Sequence, residues 1–260
     1  MIVLIAGKKG GNVVEKEIEI KMADGVCDAV LYEAGDGKKR PGAIHYPDIV
    51  GIRPSHRAMA KRLAEAGYTV LLVNPFYRTA RTPVFDFAPN FGGDERTMKR
   101  FAELTNPMPP EAMETDAATY INYLATQPSV SAAMMGAVGY CFTGAMALRT
   151  AAARPDRVGA IASFHGGRLF VDGPASPHLS LPRVKAKLYF GHAKDDHSMP
   201  QEAIDKFNAA LTKWGGKYES EVYDALHGWT VPDEGSRVYN KPQAERAFEK
   251  LTALFAGALK

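Results

Sequence analysis

The chain has 260 residues, of which 46% are hydrophobic, and a formal net charge of +3 at pH 7. This length and apolar fraction suffice for a sizeable core, so we expect residues 1–260 to form one globular domain. The small, dispersed charge argues against a nucleic-acid partner, and the lack of a long apolar run argues against a membrane protein.

Cysteine content and the N-terminus suggest the compartment. Two cysteines, Cys27 and Cys141, cannot build a disulfide framework, as is usual in a reducing cytoplasm. The apolar segment 2–6 is too short for a signal-peptide core and has no basic residue before it. We therefore predict a cytoplasmic protein. Cys27 lies where a turn leads into a strand and is interpreted as structural.

The N-terminal half begins with strands and then alternates them with helices. The predicted strands cover residues 14–21, 28–33, 42–46 and 68–73. A hairpin turn at 23–25 joins the first two strands, and a helix over about 56–66 stops at Gly67. The irregular stretch 78–109 follows. It would contain a short helix at 94–104 and either form a wall of the active site or be an ordinary surface excursion.

The C-terminal half continues the alternation. Strands are predicted over 133–138, 158–164, 187–191 and 218–223, and helices over 110–126, 145–153, 200–213 and 242–259. Such alternation predicts an α/β fold, with a mostly parallel sheet covered by helices on both faces.

A nucleophile elbow is indicated at residues 139–144, Gly-Tyr-Cys-Phe-Thr-Gly, between a predicted strand and a predicted helix. This turn would direct the thiol of Cys141 outward at the end of the sheet. It would also turn the N–H of Phe142 toward the same place, at the positive end of the helix. A thiol there could attack a carbonyl carbon while the N–H binds the oxyanion. The alternative is a buried structural cysteine, since free cysteines are often buried.

Two later strands end in residues that would complete a catalytic triad. The strand at 187–191 leads to Asp195 and Asp196, and the strand at 218–223 leads to His227. The order nucleophile, acid, histidine is that of α/β-hydrolases and differs from the chymotrypsin-like and subtilisin-like orders. His227 would take the thiol proton, and either aspartate would fix its tautomer and stabilise the imidazolium.

The remaining histidines give no metal signal. His45, His192 and His197 lack a ligand spacing such as His-x-x-x-His, so we interpret them as structural or solvated and expect neither a metal nor a cofactor.

Together these segments resemble the dienelactone hydrolase family, the carboxymethylenebutenolidase-like α/β-hydrolases, from about residue 14 to 259. Four blocks carry the resemblance: Gly139-Tyr140-Cys141, Asp196-His197-Ser198-Met199-Pro200, His227-Gly228-Trp229 and the segment 47–54. The resemblance implies the α/β-hydrolase fold and a cysteine hydrolase that opens small lactones or cleaves esters. It further implies a Cys-His-Asp triad and an acyl-enzyme intermediate.

The resemblance also implies roles for individual residues. The proline four residues after Asp196 identifies that residue as the triad acid. By position, the N–H of Ile49 would be the second oxyanion donor, paired with that of Phe142. Asp48 stands where well-known members have a glutamate that interacts with the resting cysteine; alternatively it is a turn-forming residue. Thr143 replaces a usual glycine of the elbow, so packing there must differ.

Substrate recognition follows the family pattern only in part. Arg78 matches the first of two arginines that hold the substrate carboxylate in the family. The second would fall near Val231, which cannot pair with a carboxylate. Trp229 is expected to pack around the site and to wall the pocket. We therefore expect neutral lactones or aryl esters to be hydrolysed comparably to carboxylated dienelactones.

Two other functions stay open. A general carboxylesterase or thioesterase could use the same residues with a different pocket, and a non-catalytic binding protein could keep the fold. The expected partner is a small-molecule lactone or ester, and the sequence does not indicate the oligomeric state.

Overall fold

The computed structural model describes residues 12–260; the segment 2–6 discussed above lies outside them. One eight-stranded sheet has the order β1-β2-β4-β3-β5-β6-β7-β8. Its strands are β1 Val13–Met22, β2 Gly25–Ala34, β3 Gly42–Tyr46, β4 Thr69–Val73, β5 Met135–Tyr140, β6 Val158–Phe164, β7 Lys187–Ala193 and β8 Tyr218–Tyr223. Strand β2 is antiparallel to both β1 and β4, and the other neighbours are parallel. The mostly parallel sheet predicted from the sequence is confirmed.

The helices fall close to their predicted positions. They are α1 Pro54–Glu65, α2 Glu95–Thr105, α3 Pro110–Ala125, α4 Gly144–Ala153, α5 Gln201–Trp214 and α6 Lys241–Ala258. Proline opens α1 and α3, where its missing N–H costs nothing, and the Asp94 side chain caps α2 by accepting the N–H of Thr97. A short 3-10 segment, Pro177–Arg183, is additional to the prediction, because so few residues show no helical periodicity. No helix in residues 12–260 is long and apolar enough to cross a membrane.

Helices cover both faces of the sheet, and each face has its own core. Side chains alternate between faces along a strand, so Ile44 belongs to one core and its neighbour Ala43 to the other. The first core packs against α3, α4 and α5, and the second against α1 and α6. This sandwich leaves the carboxyl ends of β3, β5, β6, β7 and β8 together at one edge, where ligands of open α/β sheets bind.

Candidate active site

A pocket of about 610 Å³ lies at this edge of the sheet, a volume typical of small-molecule sites. Its apolar lining comes from Ile49, Val50, Phe91, Phe101, Phe142, Leu226, Val231 and Val238. Cys141, Asp196 and His227 also line it. Phe91 and Phe101 belong to the irregular stretch 78–109, and the ring of Phe101 packs edge-on against Phe142 with centroids 6.0 Å apart. That stretch therefore forms part of the pocket wall.

Cys141 lies in a sharp turn between β5 and α4. Its φ is 58°, in the left-handed region that non-glycine residues rarely adopt, and its side chain is half-buried. The turn closes tightly because Gly139 has no side chain: a Cβ there would lie 2.2 Å from the carbonyl oxygen of Thr143. The predicted strand–turn–helix geometry is thus present around the thiol.

Thr143, which departs from the family's glycine, connects the elbow to β3. Its hydroxyl accepts the N–H of Tyr140 at 3.1 Å and lies 2.9 Å from the carbonyl of Pro47. A glycine could make neither contact. The hydroxyl therefore links the turn that carries the nucleophile to the loop that carries Ile49.

His227 is hydrogen-bonded to Asp196, with 2.6 Å between Nδ1 and Oδ2. The other carboxylate oxygen of Asp196 accepts the N–H and the hydroxyl of Ser198 at 2.8 and 2.7 Å. Asp195 is exposed, has a φ of 51° and makes no hydrogen bond to His227. Of the two candidate carboxylates, the structure therefore pairs Asp196 with the histidine.

The charges around His227 favour its protonated form. Burial opposes the positive charge, but the negative charges of a Cys141 thiolate and of Asp196 outweigh it and raise the pKa of His227 to about 10. Burial likewise opposes ionisation of Asp196, but the hydrogen bonds from His227 and Ser198 lower its pKa to about 2. A protonated His227 therefore lies beside Cys141 and the carboxylate of Asp196.

The loop after β3 keeps one backbone N–H available to the pocket. Asp48 accepts the N–H of Val50 with its carboxylate and the N–H of Gly51 with its carbonyl, both at 2.9 Å. The N–H of Ile49, which lies between Asp48 and Val50 in the chain, has no hydrogen-bond acceptor within the described residues. The N–H of Phe142 lies in the first turn of a helical segment, where amides lack intrahelical acceptors. That these two groups bind one oxyanion remains a prediction.

Asp48 is engaged away from the cysteine. Arg53 binds both of its carboxylate oxygens, at 2.6 and 2.7 Å, and also binds Asp233. Burial opposes the charge of Asp48, but His56 and Arg53 hold its pKa well below the usual range. Within residues 12–260 no hydrogen bond joins Asp48 to Cys141. The observed contacts are those of the alternative reading, a residue that shapes its loop.

The expectation for Arg78 needs correction, since it does not line the pocket. Its guanidinium binds both oxygens of Asp116, at 2.6 and 3.0 Å, and also pairs with Asp24. Asp116 is fully buried on α3, and a buried carboxylate requires a partner. Arg78 therefore neutralises a carboxylate of the protein itself. The pairing of Arg78 with Asp116 is seen only in the tertiary structure, because the two residues are distant in sequence.

Trp229 also needs correction, because it is fully buried and does not reach the pocket. Its ring stacks on Tyr223, with centroids 4.8 Å apart, and meets His165 edge-on at 5.0 Å. Trp229 therefore packs beneath the site and supports it from within the core.

Two residues of the loop after β6, His165 and Arg168, line the pocket but were not predicted as site residues from the sequence. The non-glycine residues with positive φ in the described chain are Cys141, His165, Arg168 and Asp195, and all four line this pocket. Such backbone conformations concentrate at functional sites. The only hint in the sequence is a histidine followed by two glycines immediately after a strand, which is too common to assign a role.

Charged side chains of the pocket are mostly paired. Arg53 is neutralised by Asp48 and Asp233, whereas Arg168 is exposed and forms no ion pair within residues 12–260. Among the described residues, no group of three histidine, cysteine or acidic side chains is arranged to hold a metal ion.

Comparison with known proteins agrees with the fold. The model of the dienelactone hydrolase family matches residues 27–259. A Synechocystis protein provisionally named carboxymethylenebutenolidase is 28% identical over 85% of this chain and 87% of its own length. The carboxymethylenebutenolidase of Rhodococcus opacus is 26% identical over 84% of this chain and 83% of its own.

Solved structures show the same architecture. A structure provisionally described as a dienelactone hydrolase from Klebsiella pneumoniae superimposes with a TM-score of 0.82 at 19% identity. The superposition covers 95% of this chain and 99% of that one. With the family match spanning nearly the whole described chain, this protein belongs to the dienelactone hydrolase family, carboxylic ester hydrolases of the α/β-hydrolase fold.

Proposed function

We propose that this enzyme opens small lactones or cleaves esters through an acyl-enzyme on Cys141. The thiolate attacks the carbonyl carbon, and the N–H groups of Ile49 and Phe142 stabilise the oxyanion. The tetrahedral intermediate collapses, the carbon–oxygen bond of the ester breaks, and the imidazolium of His227 gives its proton to the departing alkoxide. For a lactone, the new alcohol stays attached to the acyl group.

Deacylation uses the same residues in reverse. His227, now neutral, takes a proton from a water molecule as the oxygen of that water attacks the thioester carbonyl. The carbon–sulfur bond then breaks, which releases a carboxylic acid and restores the thiolate–imidazolium pair. Asp196 fixes the tautomer of His227 throughout and stabilises its charged form.

The observation that carries this proposal is the meeting of three loops at one pocket. The elbow brings Cys141, the loop after β7 brings Asp196, and the loop after β8 brings His227, whose Nδ1 is committed to Asp196 at 2.6 Å. This leaves Nε2 for proton transfer at the thiol. An intact set of this kind also weighs against a non-catalytic binding protein.

The substrate class is a separate part of the proposal. Neither Arg78 nor a second arginine near Val231 is available, and the walls are mainly apolar. We therefore favour neutral lactones and esters with an apolar acyl or alcohol group. A general carboxylesterase or thioesterase would accept similar substrates, so this alternative differs little from a small-lactone hydrolase. Arg168 lines the pocket and forms no ion pair within residues 12–260, so we favour it as the contact for an anionic substrate.

The test is to trap the acyl-enzyme. The protein is mixed with a chromogenic aryl ester, quenched in acid and measured by intact mass, then digested to locate the acyl group. We expect one acyl group per chain, on Cys141. Cys27 provides the matched control, because it is fully buried and burial raises its pKa to about 12. Turnover without acylation of Cys141, or acylation of Cys27, would contradict the proposal.

A further inference from the structure

The loop at residues 165–168, which follows β6 and is called the β6 loop below, holds the backbone of the nucleophile. His165 Nδ1 accepts the N–H of Cys141 at 3.1 Å. Gly167 donates its own N–H to the carbonyl oxygen of Cys141 at 3.3 Å. The N–H and the C=O of Cys141 are therefore both bonded to one short loop.

The β6 loop is also joined to the acid. The N–H of Arg168 donates to the carbonyl oxygen of Ser198 at 2.8 Å. Ser198 in turn donates both its N–H and its hydroxyl to Asp196. A chain of hydrogen bonds thus runs from the peptide of Cys141 to the carboxylate that orients His227.

These bonds define the protonation of His165. A backbone N–H only donates, so Nδ1 carries no proton, and the neutral ring carries its proton on Nε2. Nε2 lies 2.8 Å from the hydroxyl oxygen of Thr230, which can accept this proton. Burial, followed by the positive charge of His227, holds the pKa of His165 well below its usual value. His165 is thus a neutral acceptor, and it cannot serve as the base for the thiol.

The β6 loop is closely packed against neighbouring side chains. A Cβ on Gly166 would lie 2.3 Å from the hydroxyl oxygen of Ser163, and one on Gly167 would lie 2.9 Å from that of Ser198. The ring of His165 is held as well, since its centroid lies 5.0 Å from those of both His227 and Trp229. This packing therefore supports the position of the acceptor for the Cys141 N–H.

We propose that His165 is a positioning residue, whose Nδ1 fixes the Cys141 peptide so that the thiol faces His227 and the N–H of Phe142 stays available to the oxyanion. This inference rests on the proposed function. Without the acceptor, the left-handed peptide of Cys141 can rotate and displace the sulfur. A displacement of about 1 Å at a reacting centre costs on the order of a hundredfold in rate.

Three variants distinguish the effect of losing the Nδ1 acceptor from the effect of losing the ring of His165. His165→Phe keeps a ring against Trp229 and His227 but has no acceptor. His165→Asn places an oxygen near the position of Nδ1 and suits a left-handed backbone, which asparagine tolerates. His192→Phe is the matched control. Like His165, His192 is fully buried and hydrogen-bonded to a hydroxyl group, here that of a serine, but it lies outside the pocket.

We expect His165→Phe to lower kcat about 10- to 100-fold with little change in KM. His165→Asn should recover kcat to within about fivefold of the wild type, and His192→Phe should keep it. Full activity in His165→Phe would overturn the inference. So would equal losses in the Phe and Asn variants with unchanged thermal unfolding, because the lost ring and not the lost acceptor would then be responsible.

A second measurement does not depend on turnover. Labelling with 15N-cysteine gives two backbone amide signals, from Cys27 and Cys141. In His165→Phe the Cys141 signal should move and exchange its hydrogen faster, whereas the Cys27 signal should stay unchanged. An unaltered Cys141 amide would overturn the inference.

The same series includes Cys141→Ala, which separates the two proposals. If that variant still turns over the ester, the proposed function fails, and the positioning role fails with it. If it is inactive while His165→Phe retains the wild-type kcat, only the positioning role fails.

Discussion

The two cysteines occupy contrasting environments in the same fold. Cys27 lies within β2, fully buried, with its sulfur 3.2 Å from the carbonyl of Asn74, and burial raises its pKa to about 12. Cys141 lies past the end of β5, in a left-handed turn beside a histidine. Reactivity therefore follows from the place in the sheet. A strand interior keeps a thiol protonated and inaccessible, whereas a loop at the carboxyl edge gives it a cation and a pocket.

The comparison extends to the charged residues around each cysteine. On α3, near Cys27, Asp116 is buried and is matched by Arg78, so that its charge is cancelled within the protein. Around Cys141, His227 is bonded to Asp196 through Nδ1 only, and Arg168 forms no ion pair among the described residues. The polar groups near Cys27 stabilise the fold, whereas some of those around Cys141 have no charged partner within the protein.

The largest effect should come from exchanging alanine for each cysteine in turn. Cys141→Ala should lower kcat/KM for an aryl ester by on the order of a thousandfold or more, since it removes one member of a unit that acts together. Cys27→Ala should leave kcat/KM nearly unchanged and lower thermal stability. The comparison between the two thiols breaks down if the Cys27 variant loses activity while the Cys141 variant keeps it.

The paired aspartates should give the next largest difference. Asp196→Asn should depress kcat by about a hundredfold or more, because an amide favours the wrong tautomer of His227. Asp195→Asn should change kcat by less than about threefold, since Asp195 is exposed and not bonded to His227. Steady-state kinetics on one ester decide between them, and the opposite order would identify Asp195 as the acid.

Two arginines provide a test of substrate charge. Arg168→Gln should reduce the preference for a carboxylated over a neutral ester by about tenfold, the value of one charge-assisted contact. Arg78→Ala should leave that preference unchanged and instead destabilise the fold by about 3–5 kcal/mol, because Asp116 stays buried with no positive charge beside it and keeps only the hydrogen bond from the Tyr77 hydroxyl. kcat/KM ratios and urea unfolding measure the two effects. A changed ratio in Arg78→Ala would return that residue to the site.

The smallest expected change is a pKa. In Cys141→Ala the pKa of His227 should fall from about 10, because the negative sulfur that favours the imidazolium is gone while burial still opposes it. A folded-state pKa above the unfolded value stabilises the protein below about pH 6.5, and this contribution is lost as the pH rises through about 10. NMR titration of His227 in both proteins measures the shift; an unchanged pKa would show that no thiolate lies beside the ring.

Much of the fold was readable along the chain. Strands such as β6 and β8 have the predicted bounds, since apolar runs bounded by turn residues are local signals. The elbow and the order of Cys141, Asp196 and His227 could be predicted for the same reason, since each residue lies within four residues of the end of a strand. The sequence did not predict the ion-pair partners of Arg78 and Asp48 or the burial of Trp229, because these depend on residues distant in sequence.

The ends of the strands and the reactive side chains that follow them could be predicted from the sequence alone, because strand pattern and turn chemistry are properties of neighbouring residues. Which of those side chains are left without a protein partner depends on the folded arrangement. It placed Asp116 beneath Arg78, Arg53 between Asp48 and Asp233, and the nitrogen of His165 against the amide of Cys141. Burial and pairing are set by what the fold brings within about 3 Å, and no local pattern encodes that distance.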